Sequence, residues 1–400
     1  MITPEPRELQ ELVRELHRRS APWLPAGLGT RLHWGPPVQP APDENQPTVV
    51  STARLNRVLE HNPGDFTITV EAGTPLQAVQ EALARHRQWL AVDWPWGGRA
   101  SGAGSGSVGG LVARGLAGGY RQRYLGIRDQ LIGISLLRTD GIAARAGGKV
   151  VKNVAGYDLM RLLCGSWGSL ALITDVTLRT LPVPPERRGL WLEGPLPDLV
   201  RLSRWLLNSS LSPERVEWLR MADAAPGVLV SLASISPQTL EEQVTCIAGK
   251  AQEHGCSSQA LSPEEVLVRL DQGRGSGRAT DWLLRLGVRP DRGADLLEEQ
   301  ALAGIPVVLG AASGLAMAWA DARCMPAYRV ESLRRRCQEL GGFLTVLCQP
   351  AESSIPAWLD APSRPLIEAV KRQFDPRQQL GRGRLPGVAP RTGAYSASSR

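Results

Sequence analysis

Gly102-Ala-Gly-Ser-Gly-Ser-Val-Gly-Gly-Leu-Val-Ala-Arg-Gly-Leu-Ala-Gly-Gly119 decides how this chain is read. So much glycine beside an apolar, helix-like run is more than a core needs. Glycine lets backbone approach a ligand closely and adopt positive φ. N–H groups exposed in that way at a helix start make an anion site. The first inference is a bound diphosphate, and so a nucleotide cofactor. Gly104-Ser-Gly-Ser-Val-Gly109 also reads G-x-G-x-x-G, with Asp129 about 20 positions on, as a dinucleotide fingerprint wants. That fingerprint needs a strand in front of it, and Trp94-Pro-Trp-Gly-Gly-Arg-Ala-Ser101 is no strand. A flexible linker is the remaining alternative. Leu111, Val112, Leu116 and Tyr120 stand against it, because their helical spacing predicts packing.

Outward from that run, residues 9–16 place Leu9, Leu12, Val13 and Leu16 on one helical face. A strand is expected at 48–52 and a short helix at 55–61, before the turn Asn62-Pro-Gly-Asp65. The alternation at 66–72 predicts a half-buried strand. Thr74 and Pro75 predict an N-cap with proline in the first helical position, and a helix to about 87. Beyond the glycines, 131–137, 142–145 and 170–179 read as antiparallel strands. The prolines from 182 to 197 mark a boundary, and 190–350 alternates helix and strand as two α+β halves. Residues 389–400 read as a polar, disordered tail.

Composition narrows the function. At 400 residues there is room for two or three domains. The net charge of +7 rests on arginine, and acids are interspersed almost everywhere. No basic stripe forms, so nucleic-acid binding is not expected. Cys164, Cys246, Cys256, Cys324, Cys337 and Cys348 are scattered, without C-x-x-C, and the histidines do not cluster. No metal or iron–sulfur ligand set is expected. No apolar run reaches membrane-spanning length, and Met1-Ile-Thr-Pro-Glu-Pro-Arg-Glu-Leu-Gln10 lacks the features of a signal peptide. The expectation is a cytoplasmic protein, at most peripheral to a membrane through partners.

Three further stretches carry chemistry. Pro25-Ala-Gly-Leu-Gly-Thr30 is a second glycine-bearing loop, and a diphosphate held between two subdomains needs donors from both. Arg121-Gln-Arg-Tyr-Leu-Gly-Ile-Arg-Asp129 is either a solvated loop or one that Arg–Asp pairing fixes over the cofactor. Gly147-Gly-Lys-Val-Val-Lys-Asn-Val-Ala-Gly-Tyr-Asp-Leu159 sets Lys152, Asn153, Tyr157 and Asp158 among glycines. Leu163-Cys-Gly-Ser-Trp-Gly-Ser-Leu-Ala-Leu-Ile173 follows it. Polar side chains close to a buried strand need partners, from a flavin or from a structural network.

Taken in order, these elements resemble the FAD-linked oxidases that carry a vanillyl-alcohol-oxidase (PCMH-type) FAD domain. The resemblance covers about 20–182, with a tail element at Phe374-Asp-Pro-Arg-Gln-Gln-Leu-Gly-Arg-Gly-Arg-Leu-Pro386. Leu32-His-Trp-Gly35, Ser107-Val-Gly-Gly110, Arg128-Asp129 and Val150-Val-Lys-Asn-Val-Ala-Gly-Tyr-Asp158 are most similar to FAD-binding subunits of glycolate oxidases.

The resemblance implies an α+β fold: a two-subdomain FAD-binding domain over 1–185, one subdomain β-α-β and one an antiparallel sheet. A second, smaller α+β domain follows over 186–350, and 351–388 returns to the first. FAD lies between the two subdomains. The implied cofactor residues are Gly27, Leu28, Gly29, Thr30, Arg31, Ser107, Val108, Gly109, Gly110, Ala113, Gly115, Asp129, Lys152, Asn153, Gly156, Tyr157, Asp158, Gly168 and Ile173. His33 falls beyond the position where covalent members attach flavin, which implies noncovalent FAD. No catalytic residue is assigned.

The implied function is glycolate, or similar 2-hydroxy acid, oxidation within a complex. Its implied partners are a second flavoprotein subunit and an iron–sulfur subunit. Departures from the family pattern are Leu28, Ala171 and Gly381-Arg-Gly383, together with the lack of a histidine cluster in the second domain. They keep two alternatives open: a structural subunit with a vestigial flavin site, and an independent FAD-linked alcohol oxidoreductase.

Overall fold

A computed structural model describes residues 1–38, 47–93, 104, 106–150, 158–274 and 281–389. The described chain divides into two compact units, Met1–Leu116 with Gly126–Val183 and Pro356–Arg400, and Ala117–Leu125 with Pro184–Ile355. No helix among the described residues is long and apolar enough to cross a membrane.

The first unit begins with a parallel pair, Trp23–Ala26 beside Thr48–Ser51, with Trp23 opposite Thr48 and Ala26 opposite Ser51. Single parallel bridges add Ile2 beside Val50 and Leu380 beside Trp23. The helix Leu9–Arg18 covers this pair, burying Leu9, Val13 and Leu16. Those positions recur at helical period, as amphipathic packing requires. They meet Trp23, Val50, Leu55 and Leu380 in a small apolar cluster.

A five-stranded antiparallel sheet completes the unit. Its order is Val58–Asn62, Thr67–Glu71, Leu172–Arg179, Leu131–Leu137 and Ala143–Gly147. The expected helix at 55–61 is corrected here. Val58–Asn62 is a strand that pairs antiparallel with Thr67–Glu71. The turn at Pro63–Asp65 reverses the chain and Phe66 takes φ +53, so the flanking residues meet as a hairpin. Pairing along the neighbouring strand outweighs the local helix preference of Leu-Asn-Arg-Val-Leu-Glu. Ile68, Val70, Val176 and Leu178 face the helices Leu76–Ala84 and Val108–Arg114 in one apolar core. On Thr67–Glu71 the residues between them are buried too, and Thr69 Oγ1 meets Thr177 Oγ1 at 2.9 Å. Pro75, expected in the first helical position, is the N-cap itself.

The C-terminal element is fastened to this unit by a buried lysine. Lys371, on the helix Arg364–Phe374, donates to Ser169 O (2.7 Å), Asp375 Oδ2 (2.5 Å) and Leu380 O (2.7 Å). Asp375 in turn accepts from the N–H groups of Gln379 and Leu380. Backbone bonds from Trp23 to Gln379 and from Gly381 to Trp23 stitch the segment beside the first strand.

The second unit is an eight-stranded antiparallel sheet. Its order is Ser257–Leu261, Glu186–Glu193, Gly227–Ser234, Arg215–Arg220, Val307–Gly310, Leu315–Ala320, Trp282–Gly287 and Phe343–Cys348. Numbering the strands of each half by sequence gives 4-1-3-2 followed by 2-3-1-4. Each half is thus a split β-α-β unit of the ferredoxin-like kind. The helices Leu196–Asn208, Pro237–Glu253 and Ala327–Glu339 pack leucines and valines onto it. Segment Ala117–Leu125 is held in this unit by polar contacts. Tyr124 Oη donates to Glu214 Oε1 at 2.6 Å, the Arg215 guanidinium stacks 3.8 Å from the Tyr120 ring centre, and Gln122 Oε1 accepts from Val216 N–H.

Candidate cofactor site

The glycine-rich run folds as a turn into a short helix. Gly106 has φ +69, and Ser107 is extended and caps Val108–Arg114 by accepting from Gly110 N–H at 3.2 Å. The helix ends at Gly115 in the left-handed conformation. The predicted helical stripe through Leu116 and Tyr120 therefore stops at Arg114, and Tyr120 belongs to the other unit.

Three N–H groups at this turn are already used. Val108 donates to Thr74 O, Gly109 to Ala72 O, and Gly110 to Ser107 Oγ. The glycine at 109 serves close packing: a Cβ there would stand 2.7 Å from Ala72 Cβ. At Gly109 and Gly110 the expectation of backbone donors freed for phosphates is corrected accordingly, while Gly102 lies outside the described residues.

The other loop differs. No N–H of Gly27, Leu28, Gly29 or Thr30 donates to a described residue. Gly29 sits at φ +73, in the left-handed region that favours glycine. Ser51 Oγ donates to Gly27 O and Thr52 Oγ1 to Ala26 O, fixing the loop from behind. The two loops converge. A Cβ on Gly27 would lie 1.8 Å from Ser107 Oγ and 4.0 Å from Gly110 N. Only glycine permits that approach.

Two more stretches join them. Gly168 has φ +71 and faces Pro25, and a Cβ on Gly381 would stand 3.0 Å from Gly168 O. Trp167, at φ +55, donates its N–H to Ala113 O. A bulky residue in the left-handed region is strained by about 1–3 kcal/mol and persists only where its surroundings hold it.

Around this junction runs a ladder of guanidinium groups and indoles. Arg31 and Arg114 each lie 5.5 Å from the Trp34 ring, Arg114 lies 5.7 Å from Trp167, and Arg384 lies 5.9 Å from Trp167. Arg31 Nη2 donates to Gly104 O at 2.6 Å, Arg114 to Arg31 O, and Arg384 to Trp34 O. Burial pushes the Arg384 guanidinium down to about 10, and it lowers Arg31 as well. His33 stands at the exposed rim. Partial burial, then the positive charges of Arg114, Arg31 and Arg384, holds its imidazole below the usual range.

The remaining candidates fall elsewhere. Asp158 is exposed and pairs with Arg161 at 3.3 Å. Asp129 accepts from Gly126 N–H at 3.2 Å, while Arg128 stays 4.0 Å away. The loop thus has a backbone cap together with a long, partly exposed Arg128–Asp129 ion pair, and Arg121 and Arg123 belong to the second unit. Gly115 packs against Gly165, and Ile173 is buried in the sheet core. Lys152, Asn153, Gly156 and Tyr157 lie outside the described residues. Among the described residues no three His, Cys, Asp or Glu side chains gather as a metal set. Reading the sequence missed Trp34, Arg114, Trp167 and Arg384 as neighbours of this site. The tail motif Gly381-Arg-Gly-Arg384 was the available signal.

Residues 3–147 match the family described as FAD binding domain. The chain is 35% identical over 152 residues to the glycolate oxidase subunit GlcE of Escherichia coli K12, covering 38% of this chain and 42% of that protein. It is 34% identical over 194 residues to a D-2-hydroxyglutarate dehydrogenase of Xanthomonas citri pv. viticola, covering 48% and 39%. These matches span less than half the length of either relative. A solved alkyldihydroxyacetonephosphate synthase shares the fold, with a TM-score of 0.66 at 13% identity over 95% of this chain and 75% of that one. Residues 3–147 thus carry an FAD binding domain, and over part of its length the chain is similar to a glycolate oxidase subunit, a D-2-hydroxyglutarate dehydrogenase and a D-lactate dehydrogenase.

Proposed function

We propose that this chain is the FAD-binding subunit of a glycolate oxidase or dehydrogenase complex. In that complex, glycolate or a similar 2-hydroxy acid is oxidised to the 2-oxo acid. The bound flavin supplies a two-electron acceptor. The chain's own part is to hold it. The N–H groups of Gly27, Leu28, Gly29 and Thr30 take the diphosphate, noncovalently, and Arg31 adds positive charge beside them. The stretch from Gly168 to Ile173 backs the same junction. Electrons leave through a partner bearing iron–sulfur clusters, and a second flavoprotein is the partner that binds the hydroxy acid.

The observation that carries this reading is the convergence of the 27–31 loop, with its undirected N–H groups, on Ser107 and Gly110. Purification of the full chain, followed by denaturation, tests it. Released FAD is expected, and glycolate reduces that flavin only with the partners present. A folded chain that neither carries nor takes up flavin contradicts it.

One observation favours a second reading, in which the subunit is structural and its flavin site vestigial. The N–H groups of Val108, Gly109 and Gly110 are all engaged within the chain. Thr30→Pro removes one loop donor. If the full complex keeps its activity while flavin is lost from this subunit, the structural reading wins.

A further inference from the structure

We propose that Arg384, with Arg114 and Arg31, recognises the cofactor's diphosphate, so that the C-terminal element completes the anion site begun at the 27–31 loop. The inference rests on the FAD reading above and names residues that the loop motifs do not include.

Arg384 is 4% exposed and Arg31 is 7% exposed. Arg384 has no acidic partner within 4.0 Å among the described residues, and its buried Nε has no hydrogen-bond acceptor. Its one donated bond goes to Trp34 O. Arg220 is also buried with an Nε that lacks an acceptor, and differs at its terminal nitrogens. Arg220 spends its terminal nitrogens on the carbonyls of Leu297, Leu302 and Ile305.

Arg384 is surrounded instead by like charge. It acts on the His33 imidazole together with Arg114 and Arg31, all three disfavouring the proton there. Taking like charges out of water is costly unless an anion joins them. Trp34 and Trp167 stack among the three guanidinium groups. The cluster touches the loop itself. Arg114 and Arg384 bond the carbonyls of Arg31 and Trp34, and a Cβ on Gly106 would stand 2.9 Å from Arg31 Nη1. A diphosphate on the loop's N–H groups therefore has this cluster as its neighbour. Guanidinium is the side chain best shaped to bind phosphoryl oxygens.

The test is flavin titration of the flavin-stripped full chain, followed by flavin fluorescence, with FAD and with riboflavin, which lacks phosphate. Arg384→Gln is expected to weaken FAD by about ten- to a hundredfold and leave riboflavin unchanged, with Arg384→Lys between. The salt dependence of FAD binding falls in the same order. Equal weakening of FAD and riboflavin overturns the proposal and leaves a structural arginine. So does unchanged FAD affinity in a folded Arg384→Gln chain. A folded wild-type chain that binds neither flavin overturns the cofactor reading as well.

Should Arg384→Gln not fold, the wild-type chain still decides. Inorganic pyrophosphate is expected to compete with FAD and to raise the His33 titration seen by NMR, because it offsets Arg31, Arg114 and Arg384. Pyrophosphate that does neither overturns the proposal.

Discussion

Buried arginine is used in two different ways in the two units. In the second unit Arg215 and Glu217, each 4% exposed, pair at 2.9 Å. Arg187 makes a two-pronged contact with Glu214, which also accepts from Tyr124 Oη and Ser231 Oγ. At these residues charge is closed within the protein, and Tyr124 joins segment Ala117–Leu125 to the sheet through Glu214. In the first unit Arg384 is equally buried and meets an indole face and one carbonyl. A paired cluster is finished structure. Arg384, with no acidic partner among the described residues, suits an anion, and Arg114 links its neighbourhood to the loop whose N–H groups donate to no described residue.

That contrast can be broken most forcefully at Glu214. Glu214→Ala strands Arg187 and Tyr124, and the second unit should lose about 3–5 kcal/mol in urea unfolding. A loss under about 1 kcal/mol would show that the pair holds little. Lys371→Met strands Asp375 in the first unit and should cost about 3 kcal/mol. It should also make the C-terminal element sensitive to protease, because three bonds to Ser169, Asp375 and Leu380 go at once. Arg384→Met sharpens the comparison from the other side. With no acid left behind, the cost should be about 1 kcal/mol or less, near the value of a single net hydrogen bond. A cost equal to that of Glu214→Ala would mean that Arg384 is structural after all.

The smallest effect is on pH. His33 has a folded-state pKa held below its unfolded value by burial and by Arg114, Arg31 and Arg384. The unfolded chain therefore takes the proton first. The stability this group contributes is present above about 6.5, the unfolded value, and is lost as pH falls toward the folded one. His33→Gln should flatten that part of a Tm-against-pH curve. A curve unchanged by the substitution contradicts the assignment.

The fold was legible where a local pattern carried it. The strand Leu131–Leu137 follows from an apolar run ahead of a turn, and the buried face of Leu9, Val13 and Leu16 from periodicity. The glycine run was legible as a place of close approach, but its purpose was not. A packed glycine and a ligand-facing glycine have the same sequence, and only the bond from Gly109 N–H to Ala72 O tells them apart. Residues 55–61 were misread because a hairpin partner decides their state. The Arg–Trp ladder was illegible for a similar reason: Arg384 meets Trp34 across 350 residues. The same holds for Tyr124, whose partner Glu214 stands 90 positions away.

The central claim is that the 27–31 loop and Ser107 of the first unit close on one diphosphate. Gly27→Ala tests it most directly, because its Cβ would stand 1.8 Å from Ser107 Oγ. FAD affinity of the full chain should collapse in Gly27→Ala and recover in the double variant Gly27→Ala with Ser107→Gly, which reopens that space. A folded Gly27→Ala chain that binds FAD as tightly as the wild type would contradict the account.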